Sequence, residues 1–320
     1  MPITLKANLL RALYRAEPDH VPWAGEGALR LVDHAGRKPP RSGPDKWGVT
    51  WAPLPTSYQV GVGEPAESYP VAHPASTAAD ALALRFPDPA APELFAGLFD
   101  GVDRSKVLVV GQHGAGPFDR FVQLLGMPAA MIALLREPDI SADVMNGIAE
   151  YHVGIARGYL AAGAEAGWLA DDYAGDGGPL INPALWRKLV LPAIARIIAV
   201  YREAGTPVFF HTCGRAEAFV PDLLDAGVTA FNLQSDLCDL ADLKTRFGRR
   251  IAFYGGLPSD LMLRGSADQV REAARHAMCS LGSEGGLILA PDQPLAFPSE
   301  NVSALGETAR EEGEYPLRGT

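Results

Sequence analysis

From residue 106 onward the chain alternates short apolar runs with longer amphipathic ones, and this rhythm constrains its fold more than any other feature. The short runs are 106–112, 167–173, 207–213, 229–234, 251–257 and 287–290. Each has the length of a strand and is bounded by Gly, Pro or polar residues. Between them lie stretches with helical spacing: 118–125, 128–136, 141–162, 182–204, 215–226, 240–247 and 267–281, with 299–311 closing the chain. Ser141 suits an N-cap, and Asn182-Pro183 and Gly205 suit the two ends of a long helix. Strands that are apolar throughout belong to parallel sheets covered on both faces. Doubly wound sheets usually carry a Gly-rich phosphate loop after the first strand, and no such sequence occurs. The spacing therefore predicts a (β/α)8 TIM barrel as one domain over 1–320, with one strand near Val21 and another hidden in the irregular region that precedes the rhythm.

That irregular region is the N-terminal third. Leu5, Leu9, Leu10 and Leu13 share a helix face, Pro18 and Pro22 end the helix, and 20–25 can form a short strand. From Gly36 to Leu98 the chain is dense in Pro and Gly, punctuated by Trp47, Trp51, Tyr58, Tyr69 and Phe86. Linkers do not carry so many large aromatics, so 36–98 is expected to be a loop-rich insertion in the barrel, with a hairpin around Trp47–Tyr58.

Composition removes several classes of function. With 48% hydrophobic and 21% charged residues in 320, a core is available and disorder is excluded for the bulk of the chain. The longest apolar stretch, 189–200, carries Arg196 and falls short of the roughly 18 residues a membrane span needs. A net charge of −10 with no basic block speaks against nucleic acid as a partner. Three scattered cysteines cannot form a disulfide framework, which implies a reducing, cytoplasmic compartment. Met1–Ala16 lacks the apolar core and cleavage site of a signal peptide.

Barrels of this class carry their catalytic groups at the C-terminal ends of the strands. Those ends read Gln112-His113, Asp171-Asp172, His211-Thr212-Cys213-Gly214, 232–236, Tyr254-Gly255-Gly256 and Asp292-Gln293. In His211-x-Cys213 the two side chains share a strand face, so imidazole and thiol converge. Both are good zinc ligands, although a buried thiol beside a hydrogen-bonded histidine would satisfy the same pattern. Asp171 and Asp172 close an apolar strand, where burying carboxylates without a purpose is costly. A helix cap or loop ion pair is the plainer reading of that pair. Tyr254 is a candidate catalytic residue or a core residue.

Several of these motifs together resemble the uroporphyrinogen decarboxylase superfamily. They are Asp171-Asp172 followed by 179–183 and Leu191-Pro192, then 208–214, 239–244 with 254–256, and 285–291 with 298–301. The stretches 45–49 and 86–89 are similar to its N-terminal half. The resemblance covers most of the chain and implies a (β/α)8 barrel. One branch of the superfamily, the decarboxylases, is metal-free and holds the porphyrinogen carboxylates with an arginine-rich N-terminal motif. Here 23–30 departs from that motif. The other branch comprises zinc-dependent methyltransferases that work with corrinoid proteins and bind zinc through His-x-Cys and a later Cys. His211 and Cys213 match the first half of that site; where the later Cys falls, this chain reads Ala290-Pro-Asp-Gln-Pro294. The resemblance thus implies zinc on His211 and Cys213, with Asp292 as a substitute oxygen ligand.

By the same resemblance, the expected activity is that of a methyl- or alkyl-transferase acting on a small molecule, with a corrinoid protein as methyl donor or acceptor. Asp171 or Asp172 would orient the substrate. A carboxy-lyase of the decarboxylase branch, or a barrel that only binds a small molecule, are the alternatives; metal content separates the first from the others.

Overall fold

The computed structural model describes residues 3–54 and 68–317. Its frame is one seven-stranded parallel sheet: β1 (Leu29–Asp33), β2 (Leu108–Ala115), β3 (Ala166–Ala170), β4 (Val208–Thr212), β5 (Ala230–Leu233), β6 (Ala252–Leu257) and β7 (Leu287–Pro291), paired in chain order. Helix-bearing crossovers connect them, so each brings the chain back to the same end of the sheet, one strand further along. The sheet curls. Leu289 N–H of β7 donates to Pro22 O at 2.8 Å, and Trp23 forms a parallel bridge to Leu289. A few residues later β1 pairs with β2, so one continuous segment approaches both edges of the sheet.

Two cores arise from strand alternation. The inward residues Val110, Ala166, Phe209, Ala230, Ala252 and Ile288 form the inner core, together with Leu9 and Leu13 of helix α1 (Leu5–Tyr14). Thr4 caps α1 by accepting Ala7 N–H, and the helix plugs the N-terminal end of the sheet. Each buried Leu of this plug stabilises the fold by about 1.5–3 kcal/mol. The outward strand residues and the inner faces of the surrounding helices make the larger second core. With one end filled, the free space is left at the other, where the polar strand ends stand.

The strand expected over 20–25 is reduced to a single ladder contact with the sheet. Pro22 has no N–H and Gly27 sits at φ +85°, so 20–27 yields one bridge at Trp23 and a 3₁₀ turn over Ala24–Glu26. The other strand expected in the irregular region is Leu29–Asp33, where Leu29 and Leu31 face the inner core. Ser141 does not cap its helix. That helix runs Pro138–Ala162 because Pro138 pre-sets the first turn, and Ser141 is buried inside it. The long helix from Asn182 is two, Pro183–Leu189 and Leu191–Glu203, broken where Pro192 lacks an N–H. The helix expected from Arg215 spans Val220–Ala226. Within 36–98, Gly43–Pro44, Thr50–Pro53 and Ser68–Ala72 form an antiparallel sheet. Tyr58, the expected second arm of the hairpin, lies outside the described residues. Among the described residues no single helix is long and apolar enough to cross a membrane.

Candidate metal centre and cavity

Alternation along β4 turns Phe209, His211 and Cys213 inward, and the register sets His211 beside Asn232 of β5. Asn232 Nδ2 donates to Tyr254 O at 2.7 Å, which leaves its Oδ1 facing His211 Nδ1 at 2.7 Å. An amide oxygen only accepts, so Nδ1 carries the imidazole proton and Nε2 keeps its lone pair. That nitrogen lies 3.3 Å from Cys213 Sγ. Cys213 N–H in turn donates to Asp172 Oδ1 at 2.8 Å. One donor atom each from Asp172, His211 and Cys213 lie within 4.8 Å of one another. Gly214 makes the turn feasible: its φ is +74°, and a Cβ there would meet Ala174 O at 2.5 Å.

Burial first, then the Asp172 carboxylate, push the Cys213 thiol well above its ordinary range. A soft thiol, a carboxylate oxygen and an imidazole nitrogen with its tautomer fixed by an outer hydrogen bond form a donor set that suits zinc. A cation among them would reverse the penalty that keeps the thiol protonated. The residues therefore fit the group.

The paired aspartates separate as alternation requires. Asp171 is fully buried; it accepts Phe118 N–H at 3.1 Å, Asp119 N–H at 2.7 Å and the Tyr173 hydroxyl at 2.8 Å. It fastens the start of the helix Pro117–Leu125 to the end of β3. Burial lifts its pKa to about 7, against the pull of those three donors. Asp172 turns the other way, toward His211 and Cys213. Asp119 joins this acidic group although the strand ends in sequence gave no sign of it. Burial, then Asp171 and Asp172, hold its carboxyl well above the usual carboxylate range. The available signal was an acid in the first turn of a helix that begins right after a strand end.

Asp292 stands elsewhere on the same rim. Its Oδ2 accepts Ser235 N–H at 2.7 Å and the Ser235 hydroxyl at 2.6 Å, and its Oδ1 accepts Gly256 N–H at 3.1 Å. Burial raises its pKa to about 7. It ties the ends of β5, β6 and β7 together and is outside the converging trio. The neighbouring Gln293 instead reaches toward Cys213, with Nε2 3.8 Å from Sγ. Tyr254 packs edge-on to Trp168 at 5.0 Å, and burial raises its hydroxyl to about 12, so it is protonated at neutral pH.

Above the inner core lies a cavity of about 390 Å³. Leu31, Gln112, Trp168, His211, Asn232 and Tyr254, one from each of β1 to β6, line its floor and walls. Residues 291–294, at and just past the end of β7, and Trp23 also line it, with Met262, Phe297 and Val302. His211 thus belongs to both the donor trio and the cavity wall, and Gln293 links the two as well.

Comparison with known proteins agrees with this architecture. The chain is 25% identical over 194 residues to the methylcobamide:CoM methyltransferase MtaA of Methanosarcina barkeri, which is 59% of this chain and 54% of that protein. It is 28% identical over 153 residues to the uroporphyrinogen decarboxylase of Xanthomonas euvesicatoria pv. vesicatoria, which is 47% of this chain and 41% of that one. The chain thus spans about half the length of the curated relatives it matches. A methyltransferase from Methanosarcina mazei superposes with a TM-score of 0.72 over 97% of this chain and 99% of that one, at 20% identity, and so shares its fold. The profile of the family described as Uroporphyrinogen decarboxylase (URO-D) matches residues 55–312. A match of that extent, over strands whose polar ends gather at one mouth, means that the chain belongs to the uroporphyrinogen decarboxylase family.

Proposed function

We propose that this protein is a zinc-dependent methyl- or alkyl-transferase that acts on a small thiol and exchanges the group with a corrinoid protein. The observation that carries the reading is the convergence of Asp172, His211 and Cys213 within 4.8 Å of one another, with His211 on the wall of the cavity. His211 Nε2, Cys213 Sγ and an Asp172 oxygen hold the metal in this reading, and Asp292 braces the rim. Bound zinc supplies a lowered pKa to a thiol in its open position, making a thiolate near neutral pH. The protein's own part is to orient: Asn232 fixes the His211 tautomer, Asp172 and Gln293 flank Cys213, and the aromatic wall excludes water. We also read the Pro22–Trp23 segment, bonded to β7, as the eighth stave of a closed barrel.

Metal analysis after zinc-replete expression tests the assignment. About one zinc per chain is expected. Cys213→Ser should lose it, Asp172→Asn should hold it more weakly, and Asp292→Ala should keep it. Metal-free protein would sink the reading. Zinc kept in Asp172→Asn but lost in Asp292→Ala would move the third ligand to Asp292.

A further inference from the structure

The cavity beside the donor trio is distinguished by its polarity. Its wall is aromatic and aliphatic. Trp168 stacks on Phe209 at 5.5 Å and 9° and meets Tyr254 at 90°, while Leu31, Met262 and Phe297 supply further apolar lining. The polar side chains among its described lining residues are the amides Gln112, Asn232 and Gln293, with His211, Tyr254 and Asp292. The amides of Asn232 and Gln112 are already turned to protein partners, Tyr254 O and Asp33 Oδ1. Asp292 is spent on Ser235 and Gly256.

No lysine or arginine is among the described residues lining the cavity. Two cations come near without serving it. Arg37 pairs with Asp33 at 2.5 Å, and Asp33 is the carboxylate that Gln112 bonds. Arg310 lies over the Trp23 ring at 5.9 Å and lines a different cavity, together with Glu26 and Glu314. An anion entering here would lose its hydration without meeting an opposite charge, and burying an unpaired charge is strongly unfavourable. The volume, about 390 Å³, is more than twice the ~150 Å³ of a cavity that takes up benzene.

We infer that the cavity selects an uncharged ligand with an apolar, ring-sized body and rejects anionic ones, so that the small substrate is a neutral thiol. That the ligand is a thiol rests on the zinc-dependent transferase reading; the selection against charge rests on the cavity alone. The ring of the ligand lies against Trp168 and Tyr254, and its reacting end points to His211 and the trio.

Calorimetric titration of the intact protein with two matched pairs tests this. The first pair is 2-phenylethanethiol and 2-sulfanylethanesulfonate, which share sulfur and spacer and differ only at the far end. The second is ethylbenzene and ethanesulfonate, which lack the thiol. In each pair the phenyl compound should bind at least about tenfold more tightly. Leu31→Lys should narrow or reverse the preference. Should that variant fail to fold, Val302→Lys, at an exposed position of the cavity rim, makes the same test. Sulfonates binding as tightly as their phenyl partners would overturn the inference, as would no binding of either phenyl compound. Phenyl preference in the sulfur-free pair, persisting in chelator-treated protein, supports the selection against charge even where metal analysis has refuted the zinc site.

Discussion

Asp171 and Asp172 are chemically identical neighbours with different work, and the difference is one of direction. A strand sends successive side chains to opposite faces, so one carboxylate meets helix N–H groups and the other meets the trio. Asp292 shows how far burial alone can move such a group. Its pKa of about 7 lies above the ~3.9 of an unfolded aspartate, so the folded state holds the proton more tightly. Its stabilising contribution is full below about pH 4 and is lost as the pH rises toward 7. Denaturation midpoints measured at pH 5 and pH 8 should show part of the wild-type loss disappearing in Asp292→Asn. An unchanged pH slope in the variant would assign the loss to other groups.

At the scale of elements, the helices Pro138–Ala162 and Leu191–Glu203 are held to the sheet through tyrosines laid against glycines. Gly111 of β2 and Gly167 of β3 are register partners, and a Cβ on Gly111 would meet the ring of Tyr159, one on Gly167 the ring of Tyr201, at about 2.5 Å. The Tyr159 hydroxyl accepts His34 N–H at 2.7 Å and donates to Gln112 O at 2.7 Å, joining β1, β2 and the first of these helices at one atom. Gly167→Ala should therefore destabilise by about 1–3 kcal/mol through overpacking. Tyr159→Phe should cost about 1–3 kcal/mol by leaving buried partners unsatisfied. Urea unfolding with coincident fluorescence and circular dichroism checks both. Neutral behaviour of Gly167→Ala would mean that the Tyr201 ring can slide away.

For the molecule as a whole, α1 closes one end and the polar strand ends open at the other, so every inward side chain past the plug addresses one space. The absence of lysine and arginine among its described lining residues makes a polycarboxylate a poor fit, whatever the fold shares with decarboxylases. Incubation with uroporphyrinogen III should give no coproporphyrinogen at enzyme-like rates. Rapid formation would overturn the transferase reading.

The sequence by itself determined the period of the elements and the parity of each strand. Apolar runs alternating with amphipathic ones required a parallel sheet under helices. The two-residue step from His211 to Cys213 put them on one face, and the single step from Asp171 to Asp172 put those on opposite faces. These are local consequences of backbone geometry, legible without knowing what lies across the sheet. Of the two strands expected in the irregular region, the hidden one is Leu29–Asp33, whose leucines alternate, and the one near Val21 is reduced to the single bridge of Trp23 to Leu289. Only the tertiary structure decided which carboxylate stands beside the thiol. Asp172 and Asp292 both stand just past the end of a strand, and nothing in their flanking residues distinguishes them. The difference lies in hydrogen-bond donors distant in sequence. Ser235, 57 residues from Asp292, and Gly256, 36 away, occupy its oxygens, whereas Asp172 receives the N–H of Cys213 itself. Asp119 belongs with them for the same reason, since its place among the acids depends on a helix start docking against the end of a strand some 50 residues later. Such encounters are fixed by loop closure and packing; a local pattern can mark an acid in a first helical turn, as at Asp119, but not the partner it meets.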